Sequence, residues 1–276
     1  MSSSSSASAV VQLLFPMGGL GTRFSNIGIT TPKPLIHVDG KAMIFKAVSS
    51  FDGLVQRGEG RIRVRLIFIV RQEHEDQFLL RTKLAEVFAE QANVEVVFVM
   101  MLSDTRGAAE TCLLAKDVLI PEAPVVIMDC DTYFRSAKYE DVLMKMALEQ
   151  QGDKNGIAGL LVHFRSRALR YSYALVNEET GYVVRTAEKD PISDMSLIGA
   201  YAFGSGKLFV DAAEQLVASP IDPEKGVKEY YISLVFNFLL DAGRKVVAVE
   251  RDDYASFGTP EELALYNEGK QSWVTE

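Results

Sequence analysis

Unbroken apolar runs alternate along this chain with apolar residues at helical spacing. Val10-Val11-Gln12-Leu13-Leu14-Phe15 is dense enough for a buried strand, and residues 41–51 carry apolar side chains three and four apart, as on one face of a helix. Arg63-Val64-Arg65-Leu66-Ile67-Phe68-Ile69-Val70 reads as a strand that ends in a buried run. A helix over about 73–91 and a strand over 94–99 follow it. This order predicts an α/β fold built on a mostly parallel, doubly wound, Rossmann-like sheet with helices on both faces. Another apolar run, 124–128, stops at Asp129 and Asp131. From about residue 156 the pattern changes. Runs at 157–164, 172–176, 182–186 and 196–203 read as strands, and the middle two flank Asn177-Glu178-Glu179-Thr180-Gly181, a hairpin signal. The second half is therefore expected to be antiparallel-rich. Gly226-Val227-Lys228-Glu229-Tyr230-Tyr231 leads into an apolar helix that Gly243 closes, 245–249 is a strand, and 254–263 opens the last helix. No linker composition separates the halves, so residues 10–276 form one expected domain with halves at 10–155 and 156–276. The polar, serine-rich segment 1–9 is expected to be disordered.

With 276 residues, 48% of them hydrophobic, the chain can bury a large core. Lysine and arginine total 29 against 37 acidic residues, a formal charge of -8. Such a surface repels nucleic acid and anionic membrane, so neither is an expected partner, whereas a small anion needs only a local cationic pocket. A homo-oligomer stays open. Cys112 and Cys130 lie in apolar segments without metal-binding spacing. No apolar stretch reaches about 18 residues, the length of a membrane span. Residues 1–9 lack a basic start and a long apolar stretch, so a cytoplasmic location is expected.

The strand at 10–15 breaks into Pro16-Met17-Gly18-Gly19-Leu20-Gly21-Thr22-Arg23. Glycines let successive N–H groups converge on an anion, and the Arg23 guanidinium is a planar fork suited to phosphoryl oxygens. Thr31-Pro32-Lys33-Pro34 adds a second cation. The loop lacks the third glycine of the dinucleotide fingerprint and is not a Walker A loop. Ser103-Asp104-Thr105-Arg106-Gly107-Ala108-Ala109 reads on spacing alone as a helix start, although Gly107 can present backbone to the edge of a flat ring. Asp129 and Asp131, two apart at a strand's end, can face one site; hard oxygens of this kind suit Mg2+, and a pair of turn aspartates fits the same spacing. Glu188-Lys189, taken alone, is a solvated salt bridge. His37, His74 and His163 fall outside these motifs.

Gly18-Gly19-Leu20-Gly21-Thr22-Arg23, followed by Pro32-Lys33-Pro34-Leu35 and Gly40-Lys41-Ala42-Met43-Ile44, resembles the signature of the sugar-phosphate nucleotidyltransferases, or nucleotide-sugar pyrophosphorylases, which have a GT-A-like fold. The Pro-Met before the glycines resembles a branch met in capsule and lipopolysaccharide synthesis. The resemblance implies an enzyme that transfers a nucleoside monophosphate from a nucleoside triphosphate to a sugar 1-phosphate with release of pyrophosphate. It implies Arg23 and Lys33 as catalytic cations, with the triphosphate on Met17, Gly18, Gly19, Gly21, Thr22, Gly107 and Ala108. It further implies the acceptor on Glu188 and Lys189, and Mg2+ on Asp131 with Asp129 as a helper. Two departures stand out: Asp190 displaces the proline that follows Glu-Lys, and Ser256 stands where many sugar-specific relatives carry a metal-holding aspartate. They keep open a cytidylyltransferase acting on a non-sugar phosphate such as phosphocholine. A GT-A-type glycosyltransferase shares the nucleotide-binding half but does not require Gly-Thr-Arg with Pro-Lys-Pro. A catalytically silent module that only senses nucleotide would have no reason to keep Arg23, Lys33 and Asp131 together.

Overall fold

Strand β1 (Ala9–Met17) is the centre of the sheet. It pairs in parallel with β4 (Ile62–Arg71) on one side and β6 (Val125–Met128) on the other, and β5 (Val94–Met101) extends the sheet in parallel beyond β4. The computed structural model describes residues 8–91, 94–149, 155–221 and 227–271; most of the serine-rich segment expected to be disordered, and Gly226, lie outside the described residues. Period-two alternation fixes the register. Val11, Leu13, Phe15 and Met17 enter one core and Leu14 the other, so a slip of one residue would exchange the two faces. The first core is covered by α2 (Met43–Val48), α3 (Asp52–Arg57), α5 (Leu80–Phe88) and α7 (Ala137–Glu149) through Ile44, Leu54, Leu84 and Leu143. The second is covered by α6 (Ala108–Leu113), α8 (Gly206–Ala218) and α9 (Ile232–Asp241) through Cys112, Phe209 and Phe236.

Beyond β6 the pairing reverses. β11 (Met195–Phe203) runs antiparallel to β6 and to β8 (Ile157–Arg165) and touches β9 (Ser172–Val176), which pairs antiparallel with β10 (Val183–Glu188); β12 (Lys245–Glu250) runs parallel to β8. Among the described residues nine strands form one continuous sheet across both halves, parallel in the first and antiparallel-rich in the second. No helix among the described residues is long and apolar enough to cross a membrane.

Several boundaries differ from the sequence expectation. The helix expected over 73–91 is two helices, α4 (Gln72–Phe78) and α5, because Leu79 adopts a left-handed φ of 52° and the Glu75 carboxylate accepts the Arg81 N–H at 2.8 Å. At 41–51, Lys41–Ala42 is instead a short strand, β3, paired with β2 (His37–Val38), and the helix begins at Met43. The last helix, α10 (Pro260–Asn267), begins later than expected: Asp253–Ser256 forms β13, antiparallel to β7 (Thr132–Arg135), and Thr259 caps α10 by accepting the Glu262 N–H. Likewise the apolar helix α9 begins only at Ile232, because residues 227–231 are not helical.

Candidate active site

The loop after β1 is shaped by close packing. A Cβ on Gly18 would stand 2.6 Å from the Met101 sulfur, and Gly21 takes a φ of 65° to turn the chain into the one-turn helix α1 (Thr22–Ser25). Gly19, by contrast, has no neighbour within 4 Å of such a Cβ. Arg71, closing β4, donates from Nε to the Gly18 carbonyl at 2.9 Å and from Nη2 to Asp104 at 2.5 Å. One buried guanidinium thus joins the glycine loop to the segment that leads to Gly107. Gly107 itself has φ 141° and ψ 173°, with the Tyr230 backbone against its α-carbon.

The aspartates are not on a strand. β6 ends at Met128, and Asp129 and Asp131 occupy the turn into β7, yet both line the same cleft of about 680 Å³. Arg23, Ala108, Glu188 and Lys189 line it too, so stretches of chain far apart in sequence converge there. Met17, Gly18, Gly19, Thr22 and Gly107 do not; Gly21 and Lys33 line a smaller hollow of about 390 Å³. Lys33 joins the two, because its Nζ is ion-paired to Asp131. Pro32 and Pro34, on either side of Lys33, lock their own φ angles and so stiffen its backbone. A further hollow of about 640 Å³, between Phe45, Val55 and Phe88, contains none of the motif residues except Lys41.

Opposite charges stand close together in and beside the cleft. Burial works against the Lys33 ammonium, but Asp131, with Cys130 and Asp129 behind it, outweighs this and holds it above the ordinary lysine value. The Asp129 carboxylate is open to the cleft on one side and enclosed by protein on the others. That enclosure and then repulsion from Asp131 push it upward, Lys33 opposes them, and Glu188 adds to the repulsion. Burial pushes the Cys130 thiol up to about 12, which makes it inert at neutral pH. Glu188 ends β10, is pushed up by burial, and accepts from the Ser233 hydroxyl at 2.8 Å. Lys189, at φ 54°, reaches the Tyr231 hydroxyl at 2.9 Å and lies 4.9 Å from the centre of that ring.

A glycine loop after the first strand, a proline-flanked lysine and an aspartate meeting beside a cleft at the carboxyl ends of parallel strands are joined by a match over residues 16–268 to the nucleotidyl transferase family model. The chain belongs to that family. None of the curated proteins compared with it matches. Among solved structures it is similar to a nucleoside-diphosphate-sugar pyrophosphorylase from Vibrio cholerae RC9 (24% identity, 93% of this chain and 98% of that one, TM-score 0.71). It is similar also to a UDP-glucose pyrophosphorylase complexed with UDP-glucose (18%, 94% and 99%, 0.67) and to an inositol-1-phosphate CTP transferase from T. maritima (16%, 96% and 98%, 0.64). At these identities the likeness is one of fold.

Within this nucleotidyl transferase fold the position that departs from the family signature has its own arrangement. Ser256 donates to Glu262 at 2.8 Å, and Glu262, only 5% exposed, is ion-paired to Arg170 from the loop after β8. A Cβ on Gly258 would lie 3.0 Å from a Glu262 oxygen and 3.2 Å from an Asp131 oxygen, so both carboxylates border one point. Asp252 and Asp253 point elsewhere, to the N–H groups of Ala137 and Tyr254. Arg170, Glu262, Arg71 and the tyrosines of the cleft are not marked in the sequence by any motif. The one local signal is Glu262 three residues after Thr259, a capping-box spacing, and here the side chain turns to Ser256 and Arg170 instead.

Proposed function

We propose that the protein transfers a nucleoside monophosphate from a nucleoside triphosphate to a phosphorylated small molecule and releases pyrophosphate. A sugar 1-phosphate is the leading acceptor class, as the names of two of the similar structures favour. In the proposed step an acceptor phosphate oxygen forms a bond to the α-phosphorus while the bond from that phosphorus to the bridging oxygen breaks, and pyrophosphate carries away the electron pair. No general base is needed, because a phosphate monoester is already ionised at neutral pH. The work is positioning and charge neutralisation.

The observation that carries this reading is the Lys33–Asp131 pair between the glycine-loop hollow and a cleft that holds Arg23 on one side and Glu188 and Lys189 on the other. Arg23 is exposed, makes no ion pair with a described residue, and is free to meet triphosphate oxygens. Gly18 and Gly21 give the loop its turn, and Ala108, which lines the cleft, with Gly107 before it would border the base. Asp131 suits Mg2+, which takes one or two protein carboxylates and fills its remaining positions with phosphate oxygens and water. No group of three or more acidic, histidine or cysteine side chains that could hold a metal occurs among the described residues. Bound there, Mg2+ would neutralise charge on the transferring phosphates. Lys33, in reach of the same carboxylate, would turn to the phosphates in its place.

The test is pyrophosphate release in Mg2+ with the common triphosphates crossed against sugar 1-phosphates and aminoalcohol phosphates. Release that needs one triphosphate and one acceptor together is the expected result, and Lys33→Ala is expected to lower kcat by about 10²-fold or more, as loss of one oriented charge does. Unchanged turnover in Lys33→Ala would overturn the assignment.

A further inference from the structure

We propose that the acceptor carries an ammonium group, protonated or quaternary, near its phosphate and that Asp129 selects for it; this deepens the nucleotidyl-transfer reading and rests on it. The Asp129 carboxylate faces the cleft and makes no hydrogen bond or ion pair with a described residue. Its place is built into the sheet. A Cβ at residue 199 would collide with this carboxylate, and the Asp129 N–H is held by the Gly199 carbonyl at 2.9 Å. Glycine weakens the interior of a strand, and here, within β11, it leaves the room that the carboxylate fills.

The cations around the cleft are in large part already engaged. Lys33 is paired with Asp131, Arg170 with Glu262, and Lys189 is bound by the hydroxyl and ring of Tyr231. Among the described cations of the cleft Arg23 and Lys189 are without an ion pair, and Arg23 belongs with the triphosphate. Against these stand Asp129, Glu188 and Glu229, of which the single charge of Lys189 offsets one, so the acceptor end keeps an excess of carboxylate charge. Tyr171, Tyr201, Tyr231 and Tyr254 line the same cleft. Two of these rings already lie near cations, Tyr231 with Lys189 at 4.9 Å and Tyr171 with Arg170 at 5.2 Å. An uncompensated carboxylate among tyrosine rings is the chemistry that recognises an ammonium group. Covering Asp129 with a neutral acceptor would strip its water without supplying a counter-charge, which is costly. Amino-sugar phosphates and aminoalcohol phosphates share the required chemistry.

Matched pairs that differ in charge and little in shape test this with the intact protein. One pair is phosphocholine and 3,3-dimethylbutyl phosphate, in which carbon replaces the charged nitrogen; the other is glucosamine 1-phosphate and glucose 1-phosphate. Affinity by calorimetry, with the nucleotide and Mg2+ present, is compared with kcat/KM for pyrophosphate release. The expected result is a preference of about tenfold or more for the amine-bearing member of one pair, the energetic equivalent of one favourable charged contact. Which pair shows it identifies the source of the amine. In Asp129→Asn the ratio is expected to fall towards one. Equal or tighter binding of the neutral member in both pairs, no binding of either amine, or an undiminished ratio in Asp129→Asn would each overturn the proposal. A preference for glucose 1-phosphate with brisk turnover would overturn it and leave nucleotidyl transfer standing. A clear amine preference in binding, without pyrophosphate release from any triphosphate, would do the reverse.

Discussion

Gly107→Ala is the sharpest single perturbation the structure offers. At φ 141° and ψ 173° Gly107 occupies a region that residues with side chains avoid, at a cost of about 1–3 kcal/mol. The new methyl would stand 2.5 Å from the Tyr230 nitrogen and 2.7 Å from its carbonyl oxygen, where ordinary contacts are about 3.5–4 Å. Both atoms are backbone, so neither can swing aside. The segments must separate by about 1 Å, and two hydrogen bonds between them, Tyr230 N–H to Arg106 and Ala109 N–H to Tyr230, at 2.9 and 2.8 Å, are weakened or lost. At about 1 kcal/mol each, the total destabilisation is roughly 3–5 kcal/mol, reduced to the extent that the loop rearranges. With about 2–4 °C per kcal/mol for a domain of this size, Tm should fall by about 6–20 °C. Gly19→Ala is the control, because no atom lies within 4 Å of its new methyl. It should unfold like the parent, so any rise in its KM for the triphosphate would report the close approach of phosphate to the loop backbone. Thermal unfolding followed by circular dichroism decides the matter. A Gly107→Ala protein within about 2 °C of the parent would refute the steric reasoning.

Glu262→Ala removes the 2.8 Å hydrogen bond from the Ser256 hydroxyl and the buried partner of Arg170; since Arg170 is 43% exposed and can rehydrate, the expected loss is only about 1–2 kcal/mol. A urea midpoint equal to the parent's would show that this link does not hold the loop after β8 to α10, and Glu262→Gln, which keeps an acceptor for Ser256, should lose less. His163 is 4% exposed, its Nδ1 has no partner among the described residues, and burial, then Arg165, lowers its pKa. The unfolded chain, with His163 near pKa 6.5, then binds the proton more readily, so the contribution is complete above about pH 6.5 and is lost as pH falls through the depressed folded value. Tm should therefore drop between about pH 7.5 and 5.5 more steeply in the parent than in His163→Leu; identical slopes would remove His163 as a cause. The residual slope in the variant would include His74, whose pKa burial also lowers.

What could be read in the sequence is what local physics fixes. The run at 10–15 could hardly be anything but a central strand, and a glycine loop at its carboxyl end falls at the rim where parallel sheets gather ligands. Lys33 between two prolines likewise declares its own rigidity. The boundaries that differed were set by single backbone choices: apolar spacing runs through Leu79 without interruption, but its left-handed φ divides the helix. Asp129 and Asp131 reach the same cleft, as expected, although from a turn and not by strand alternation. Ser256 showed only that a carboxylate was missing. That Glu262 stands near the same point depends on how α10 packs after β13, and its Arg170 partner lies 92 residues away in sequence.

The placement of Asp129 follows from the reversal of strand direction at β6. Parallel pairing brings the glycine loop of β1 and the end of β6 to one rim; antiparallel pairing of β11 with β6 then places Gly199 beside Asp129 and joins them by a backbone hydrogen bond. Residue 129 therefore belongs to the nucleotide half by chain order and to the acceptor half by contact. Asp131, two residues on, has moved far enough round the turn to meet Lys33 instead. On the proposed reading a change at 129 alters which acceptor is held and leaves the Lys33–Asp131 pair in place, whereas a change at 131 removes the partner of that lysine. Neighbours in sequence thus differ in partner within one cleft, because the turn after β6 sets Asp129 against Gly199 and Asp131 against Lys33.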